Sequence, residues 1–270
     1  MKSVLSIQDL SCVGRCSLTV ALPVISAMGL RCSVLPTAVL STHTGFPNPQ
    51  VLPLTDHLES FGSHWETLGI TFDAVTTGYM ADAGQAEVVL ALLKKYKNRE
   101  SIIIVDPAMG DHGKLYSRLG NDHVSAMAKL CAQADIMLPN VTEAALLTGI
   151  PYTAEPNSHY LQNLAQQLLL CFPVKAVVIT GVTGKGGTIG FCGQEQHGEF
   201  FSYYNRVIPR QCHGTGDLYT AVFTGKLLQG RSVYESGVLA ADFVRRCVAS
   251  TDTVSAHGVA FESQIPYLFA

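Results

Sequence analysis

Short apolar runs alternate with longer amphipathic stretches along this chain. The apolar runs are rich in β-branched residues and end at turn residues, and they predict strands at 3–7, 32–36, 73–79, 101–107, 135–139 and 176–180. The amphipathic stretches predict helices at 17–28, 56–68, 82–97, 120–132, 141–148, 158–171, 215–229 and 233–250. Residues 187–204 alternate around turn residues and predict an antiparallel hairpin.

The repeated strand–helix order indicates an α/β fold. Such an order is typical of a three-layer α/β/α architecture, in which a mostly parallel central sheet carries helices on both faces. The continuous apolar character of the strands agrees with burial on both faces. Because no linker-like segment or internal repeat interrupts the pattern, we expect residues 1–270 to form a single domain.

Composition narrows the class of protein. Hydrophobic residues make up 47% of the 270 residues and charged residues only 14%, against a usual charged share of about 25%, so much of the chain must be buried. The net charge of -3 gives no support for nucleic acid or an anionic membrane as a partner. The cysteines form no CxxC pair and the histidines no HExxH spacing, which disfavours a zinc site or a disulfide framework and favours a reducing cytoplasm.

Glycine, polar and charged residues follow most of the predicted strands. A polar segment that includes Asp9 is expected to form a loop after the first strand, 3–7. In α/β sheets of this type, ligands bind at the carboxyl ends of the strands. Candidate functional residues are therefore expected in the segments that directly follow the strands.

The sequence Gly214-Thr215-Gly216-Asp217 opens the predicted helix at 215–229. Two glycines at a helix start leave backbone N–H groups uncovered, and together with the positive end of the helix dipole they form an anion site. A carboxylate beside a phosphate site repels phosphate, so Asp217 is better suited to accept a proton from a hydroxyl that attacks the phosphate. The alternative, a tight glycine turn with an aspartate at the helix start, explains these four residues equally well.

Polar side chains near two other strands suggest a magnesium site. Asp106 lies at the end of the predicted strand 101–107, and Asn140 and Glu143 lie at the start of the predicted helix 141–148. Mg²⁺ binds through few protein oxygens and keeps several waters, so these three side chains are candidate ligands. The alternatives are a strand-end turn at Asp106 and a capping box formed by Asn140 and Glu143.

Two further segments are candidates for nucleotide and substrate contacts. The glycine-rich segment 180–187 does not match the P-loop pattern GxxxxGK[ST], yet Gly181 and its neighbours are able to lie against a nucleotide phosphate. A flexible hairpin connection explains this segment as well. His43, Thr44 and Tyr79 follow other strands and are within reach of a small substrate, although a lone histidine or tyrosine near a strand end is more often structural.

The order of motifs resembles that of a known family. The chain contains, in this order, "IQD", "THTG", "TGY", "VDPAMGDHGKLY", "PNVTEAALLTG", "VVITG" and "HGTGD". This order resembles the ribokinase-like superfamily over nearly the whole chain, and within it the pyridoxal/pyridoxamine kinases. The resemblance implies transfer of the γ-phosphoryl group of ATP to the 5′-hydroxymethyl group of a B6 vitamer, with Mg²⁺, with a monovalent cation such as K⁺, and in a homodimer.

The resemblance also implies roles for individual residues. Asp217 matches the catalytic base of the family, and the residues that match its anion hole are Gly214, Thr215 and Gly216. Residues that match those holding magnesium and the nucleotide are Asp106, Asn140, Glu143 and Thr180. Positions that match the lining of the B6 pocket are Asp9, Thr44 and Tyr79.

The chain departs from the family pattern at Asp9, where many B6 kinases carry serine. An acidic group there favours a protonated ring nitrogen or an amine in the substrate, and it leaves the preferred vitamer open. A hydroxymethylpyrimidine kinase of the same fold is the nearest alternative, and that branch often carries cysteine in place of the motif aspartate. An NAD(P)H-hydrate dehydratase usually carries an "NPxxGE"-like segment where this chain has "PNVTE", and a non-catalytic B6-binding protein would be expected to lack Asp217.

Overall fold

The computed structural model describes residues 1–97, 101–117, 119–252 and 256–269 of the chain. The strands are β1 (Ser3–Ser11), β2 (Arg31–Leu40), β3 (Val51–Pro53), β4 (Ala74–Thr77), β5 (Ile102–Val105), β6 (Gly110–Asp111), β7 (Lys114–Leu115), β8 (Ile136–Met137), β9 (Ala176–Gly184), β10 (Thr188–Glu195) and β11 (Phe200–Arg206). The helices are α1 (Leu18–Ala27), α2 (Thr55–Thr67), α3 (Ala83–Lys97), α4 (Asn121–Cys131), α5 (Val141–Thr148), α6 (Ser158–Cys171), α7 (Thr215–Leu228) and α8 (Val233–Ser250). A 3₁₀ helix follows at Glu262–Phe269.

The chain divides into two compact units. The first unit comprises Met1–Gly78 with Ile208–Ala270, and the second unit comprises Tyr79–Val207. In the first unit the paired strands have the order β4-β1-β2-β3. Strand β1 pairs in parallel with both β4 and β2, while the short strand β3 runs antiparallel to β2.

Strand β1 lies in the core of the first unit. Val4, Leu5 and Ile7 have no exposed surface, and Ser6 between them is buried as well. Burial of successive side chains, which point to opposite faces, requires packing on both faces of the strand. Helix α1 packs against β1 and β2 and supplies part of this cover.

Helix α7 is buried around its whole circumference in the first unit. Every residue from Leu218 to Lys226 is buried, as is typical of an interior helix rather than a surface one. The helix packs against α1 and α8. Gly225 allows the close approach of Met28, because a Cβ at position 225 would lie 2.0 Å from the Met28 Cε. This packing fixes the N-terminal turn of α7, which carries Asp217.

The second unit combines parallel and antiparallel strands. Strands β5, β8 and β9 pair in parallel, and β9, β10 and β11 pair antiparallel. Helix α6 packs over β9 and β10, and α5 packs against α6 and β9. Strands β6 and β7 form a short hairpin of their own, between β5 and α4 in the chain. The expected α/β class with a mostly parallel sheet is confirmed.

Most predicted elements occur near their predicted positions. Helices α5 and α6 have the predicted bounds, and the predicted hairpin corresponds to β10 and β11. The prediction of a loop around Asp9 was wrong, because β1 continues to Ser11. The side chains of Asp9 and Ser11 both take part in hydrogen bonds within the first unit, so neither is buried without a partner. Strand β3 and the β6–β7 hairpin had not been predicted.

None of the helices in the described part of the chain has the length and apolar character that crossing a membrane requires. The cysteines all lie in described residues and are free. Cys131, Cys192 and Cys247 are buried, as small apolar side chains are.

Candidate active site

The N-terminal turn of α7 has the features of an anion site. Gly214 caps the helix in the left-handed conformation, with φ of 79°, and a Cβ there would lie 2.1 Å from the Arg15 carbonyl oxygen. Gly216 is exposed, and a Cβ there would meet no described atom within 4 Å. Because Gly214 has no side chain with which to cap the first N–H groups, the tip of α7 presents amide donors and the positive end of the helix dipole.

Ser17 connects the two aspartates that the sequence indicated in the first unit. Its backbone N–H donates to Asp217 Oδ2 at 2.8 Å, and its Oγ donates to Asp9 Oδ1 at 2.6 Å. Ser17 is the N-cap residue of α1, so the starts of α1 and α7 meet here. The N–H donor holds the Asp217 carboxylate in one orientation, as a proton acceptor requires.

Asp9 is a buried carboxylate, with only 5% of its surface exposed. Burial raises its pKa above the ordinary value, whereas the hydrogen bonds from Ser17 and Ser11 act to lower it. Ser11 Oγ donates to Asp9 Oδ2 at 3.3 Å, so each carboxylate oxygen has a hydroxyl donor. Burial, reinforced by the negative charge of two aspartates, raises the pKa of the neighbouring Cys16 thiol, which therefore remains neutral and unreactive.

His43 is buried and holds the turn that carries Thr44. Its Nδ1 accepts from the Gly45 N–H at 3.0 Å, and its Nε2 lies 2.8 Å from the Ala256 carbonyl oxygen. A carbonyl oxygen only accepts, so Nε2 carries the proton and the ring is neutral. Burial lowers the pKa of His43, in agreement with this assignment. Thr44 itself is exposed, so of these two residues it is Thr44 that is accessible to a ligand.

The start of α5 is tied to the residues that precede the β6–β7 turn. Asn140 Oδ1 accepts from the Glu143 N–H at 2.9 Å, and Glu143 Oε2 accepts from the Asn140 N–H at 2.8 Å, which completes the predicted capping box. Glu143 Oε1 also accepts from the Met109 N–H at 3.0 Å, and Asn140 Nδ2 donates to the Gly110 carbonyl at 2.8 Å. The two side chains therefore cap the helix and fasten residues 109–110 to it.

Glu143 and Asp106 form an acidic pair in the second unit. Burial raises the pKa of Glu143 to about 8, and the negative charge of Asp106 contributes to the increase, while N–H donors from Asn140, Met109 and Gly110 act to lower it. Two carboxylates that disfavour each other's ionisation create an electrostatic cost, which a divalent cation relieves.

The donor chemistry of this pair fits Mg²⁺. Carboxylate oxygens are ligands that Mg²⁺ prefers, and the ion commonly keeps water or phosphate as its other ligands. The described residues contain no cluster of three or more histidine, cysteine, aspartate or glutamate side chains suited to a metal. Both ends of the Asn140 amide are engaged in hydrogen bonds, and these fit a residue that orients Glu143.

The remaining predicted residues lie within β9, which continues to Gly184 beyond the predicted strand end, and after β4. Thr180 pairs with Asn140 in an isolated parallel bridge, so it is adjacent to the start of α5. Gly181 is exposed and has φ of 66°, a conformation that favours glycine. Tyr79 is half-buried, with its ring centroid 6.3 Å from that of Tyr116.

Sequence reasoning missed the two serines that bind Asp9. A partial signal existed for Ser17, because serine at the start of a predicted helix usually caps that helix. Here its side chain makes no capping hydrogen bond and donates to Asp9 instead. Ser11 gave no signal, since it follows the apolar run that marked the strand.

The comparisons with known proteins agree with this arrangement. Residues 25–260 match the family described as phosphomethylpyrimidine kinase. A pyridoxal kinase from Arabidopsis thaliana is 31% identical over 234 residues, which cover 82% of this chain and 73% of that protein.

Solved structures show the same relationship. Pyridoxal kinase from Lactobacillus plantarum is 33% identical, with a TM-score of 0.91 over 100% of this chain and 97% of that chain. A Bacteroides thetaiotaomicron protein assigned as a phosphomethylpyrimidine kinase, in a crystal form with pyridoxal, is 31% identical, with a TM-score of 0.94 over 100% of this chain and 96% of that chain. The family resemblance of the motifs is confirmed: the chain belongs to the phosphomethylpyrimidine kinase family of ribokinase-like enzymes, together with the pyridoxal kinases that it resembles.

Proposed function

We propose that the protein transfers the γ-phosphoryl group of ATP to the 5′-hydroxymethyl group of pyridoxal, pyridoxamine or pyridoxine. This is the reaction of vitamin B6 salvage that yields pyridoxal 5′-phosphate from pyridoxal. The observation that carries the proposal is Asp217, a carboxylate oriented by the Ser17 N–H at the open, glycine-lined tip of a buried helix. Family membership supports the reaction class.

In the first unit, Asp217 accepts the proton of the substrate hydroxyl as that oxygen attacks the γ-phosphorus. General-base catalysis of this kind requires a carboxylate at a fixed position, and the hydrogen bond from the Ser17 N–H fixes the position of Asp217. The backbone of Gly214, Thr215 and Gly216 stabilises the negative charge on the transferring phosphoryl group, because amide donors and the helix dipole converge there.

In the second unit, Asp106 and Glu143 hold Mg²⁺, with Asn140 orienting Glu143. The ion, when bound, neutralises charge on the phosphates of ATP. Thr180 and Gly181 contact the nucleotide; the exposed position of Gly181, without a side chain, suits close approach of a phosphate. A monovalent cation such as K⁺ completes the expected cofactor set.

In the first unit, Asp9 and Thr44 bind the B6 vitamer. In the second unit, Tyr79 is proposed as a further vitamer contact. Hydroxyl donors from Ser17 and Ser11 support the ionised form of Asp9, which favours a substrate with a protonated ring nitrogen or an amine. We propose that residues 1–270 act as one kinase domain, that the protein is cytoplasmic, as its free cysteines suggest, and that it forms a homodimer.

A hydroxymethylpyrimidine kinase with the same mechanism is the second candidate, favoured by the description of the matching family. The two are separated by kcat/KM for pyridoxal, pyridoxamine, pyridoxine and hydroxymethylpyrimidine with ATP and Mg²⁺. We expect a B6 vitamer to have the highest value. A higher value for hydroxymethylpyrimidine would reverse the assignment, and absence of turnover with all four compounds would reject the kinase function proposed here. A non-catalytic B6-binding role is disfavoured because Asp217 is present.

The role of Asp217 is tested with Asp217→Asn. The asparagine keeps an oxygen that accepts from the Ser17 N–H but loses the ability to take up the substrate proton. We expect kcat to fall by roughly 10²–10⁴-fold, while thermal stabilisation of the protein by Mg–ADP is retained. A variant with near-wild-type kcat would remove Asp217 as the base.

A further inference from the structure

Ser17 occupies a backbone conformation that is normally reserved for glycine. Its φ is 52° and its ψ is -125°, and the Thr19 N–H donates to the Cys16 carbonyl oxygen at 3.2 Å. These are the features of a type II′ turn, whose first central residue is usually glycine. A non-glycine residue in such a conformation is strained and is retained where the surrounding structure requires it.

The positive φ determines what Ser17 can reach. The angle φ sets the direction of Cβ relative to the N–H of the same residue. An ordinary φ near -60° would turn Cβ by roughly 110° about the N–Cα bond and carry Oγ away while the N–H stayed in place. With the observed φ, the N–H points to Asp217 and Oγ points to Asp9 at the same time.

Glycine at position 17 would keep the turn and the N–H donor without strain. What serine adds is the hydroxyl, and the hydroxyl donates to Asp9. The strained conformation is therefore explained by the link that Ser17 forms between the two carboxylates, and not by the turn. We propose that Ser17 is a positioning residue of the phosphoryl-transfer reaction, which joins Asp9 to Asp217 and fixes both carboxylates in one orientation.

This inference rests on the proposed function, in which Asp217 is the base and Asp9 contacts the vitamer. It adds that the two are mechanically coupled, because the N–H and the Oγ belong to one residue at the start of α1. Loss of the Oγ contact would leave Asp9 with the Ser11 donor at 3.3 Å and would free Ser17 to move relative to Asp217. The titratable groups near Asp9 include His43 and Cys16, and Asp217 is linked to Asp9 through Ser17.

The test compares Ser17→Gly with Ser17→Ala. Both variants lack the hydroxyl, but glycine relieves the strained φ whereas alanine keeps it. If Ser17 only shapes the turn, activity should follow stability, so the glycine variant should have wild-type kinetics. If Ser17 is a positioning residue, both variants should lose about tenfold or more in kcat, with KM for ATP unchanged, although the glycine variant is the more stable of the two.

A second readout does not depend on turnover. The titration of the Asp9 carboxyl carbon, followed by NMR in ¹³C-aspartate-labelled protein, should move to higher pH in Ser17→Gly because the ionised form has lost a donor. Asn48→Gly is the matched control, since Asn48 is an exposed non-glycine residue with φ of 53°; it should change neither kcat nor the Asp9 titration.

Wild-type kcat together with an unchanged Asp9 titration in Ser17→Gly would overturn the inference. Wild-type protein that turns over none of the B6 vitamers or hydroxymethylpyrimidine would instead reject the proposed function, and the Asp9 titration would still report whether Ser17 holds that carboxylate.

Discussion

At the scale of single residues, the two glycines at the start of α7 have different physical roles. Gly214 is required by the fold, because its φ is positive and a Cβ there would collide with the Arg15 carbonyl oxygen. Gly216 is not required in this way, since a side chain there would meet no described atom within 4 Å. An absent side chain that the fold does not demand is best explained by a ligand that approaches the backbone.

Gly216→Ala tests this explanation. We expect the free energy of unfolding to be unchanged or to rise by up to about 1 kcal/mol, because alanine is the better helix former. We expect kcat to fall at least about tenfold, because the methyl group obstructs the approach of the phosphoryl group to the amide donors. Activity assays and urea denaturation of the same preparation measure the two effects.

Gly84→Ala is the control for this substitution. Gly84 is the second residue of α3, as Gly216 is of α7, and it is also exposed. Its new Cβ would meet only the Asp82 carboxylate, at 3.2 Å, and no proposed site residue, so activity should be retained. Full activity in Gly216→Ala would contradict an anion site at the tip of α7.

The start of α7 shows which site residues can be predicted from the sequence and which cannot. The glycines and Asp217 were predictable because their pattern has a direct chemical meaning at a helix start. The role of Ser17 was not, because a positive φ in serine leaves no trace in the order of residues. Its contact with Asp217 also spans 200 residues of chain, and local patterns carry no information about such contacts.

At the scale of elements, two capping boxes in the described part of the chain have different surroundings. Asn140 and Glu143 cap α5, and Ser232 and Glu235 cap α8. Glu235 is exposed and accepts hydrogen bonds only from Ser232 among the described bonds. Glu143 is buried and lies near Asp106. The capping box of α5 is therefore accompanied by a second acidic side chain, Asp106, whereas that of α8 has no second acidic side chain beside it among the described interactions.

The comparison of Glu143→Gln with Glu235→Gln separates capping from metal binding. Glutamine removes the negative charge in both variants at nearly constant size. We expect the Mg²⁺ concentration for half-maximal activity to rise about tenfold or more in Glu143→Gln and to stay at the wild-type value in Glu235→Gln. Magnesium titrations at fixed ATP measure this, and identical titrations in all three proteins would leave Glu143 with a capping role alone.

Sequence predicted elements best where local signals mark both ends. Helix α5 was predicted with its observed bounds because Asn140 caps its start and Gly149 ends it in the left-handed conformation. The strands β6 and β7, of two residues each, are too short to show periodicity. Strand β1 was predicted too short because buried polar side chains break the apolar pattern, and their hydrogen-bond partners become known only from the folded structure.

At the scale of the whole molecule, the regular alternation of strands and helices was sufficient to predict the α/β class. The division into a first and a second unit was not predictable, because the first unit joins residues from both ends of the chain. No composition shift or linker marks its boundaries. The residues proposed to act as base and anion hole belong to the first unit, and those proposed to bind magnesium belong to the second.

Global stability should depend on pH through His123, which lies in α4. It is 1% exposed, and neither ring nitrogen has a hydrogen-bond partner among the described residues. Burial lowers its pKa, and the nearby Asp122 and Asp82 only partly oppose this effect. The folded protein therefore keeps His123 neutral at pH values where the unfolded chain takes up a proton. The contribution of neutral His123 to the free energy of unfolding is fully present above the pKa of histidine in the unfolded chain, near 6.5. It is lost as the pH falls below that value.

His123→Leu should remove this part of the pH dependence. Between pH 7 and 5 the wild-type free energy of unfolding should fall more steeply than that of the variant, by at most about 1.4 kcal/mol per pH unit, the limit for one proton. Urea denaturation at a series of pH values measures the two slopes. His197→Leu, in the exposed turn between β10 and β11, should keep the wild-type slope. Equal slopes in wild type and His123→Leu would mean that protonation of this buried ring does not contribute to acid unfolding, and the loss of stability would then have to arise at other groups of the molecule.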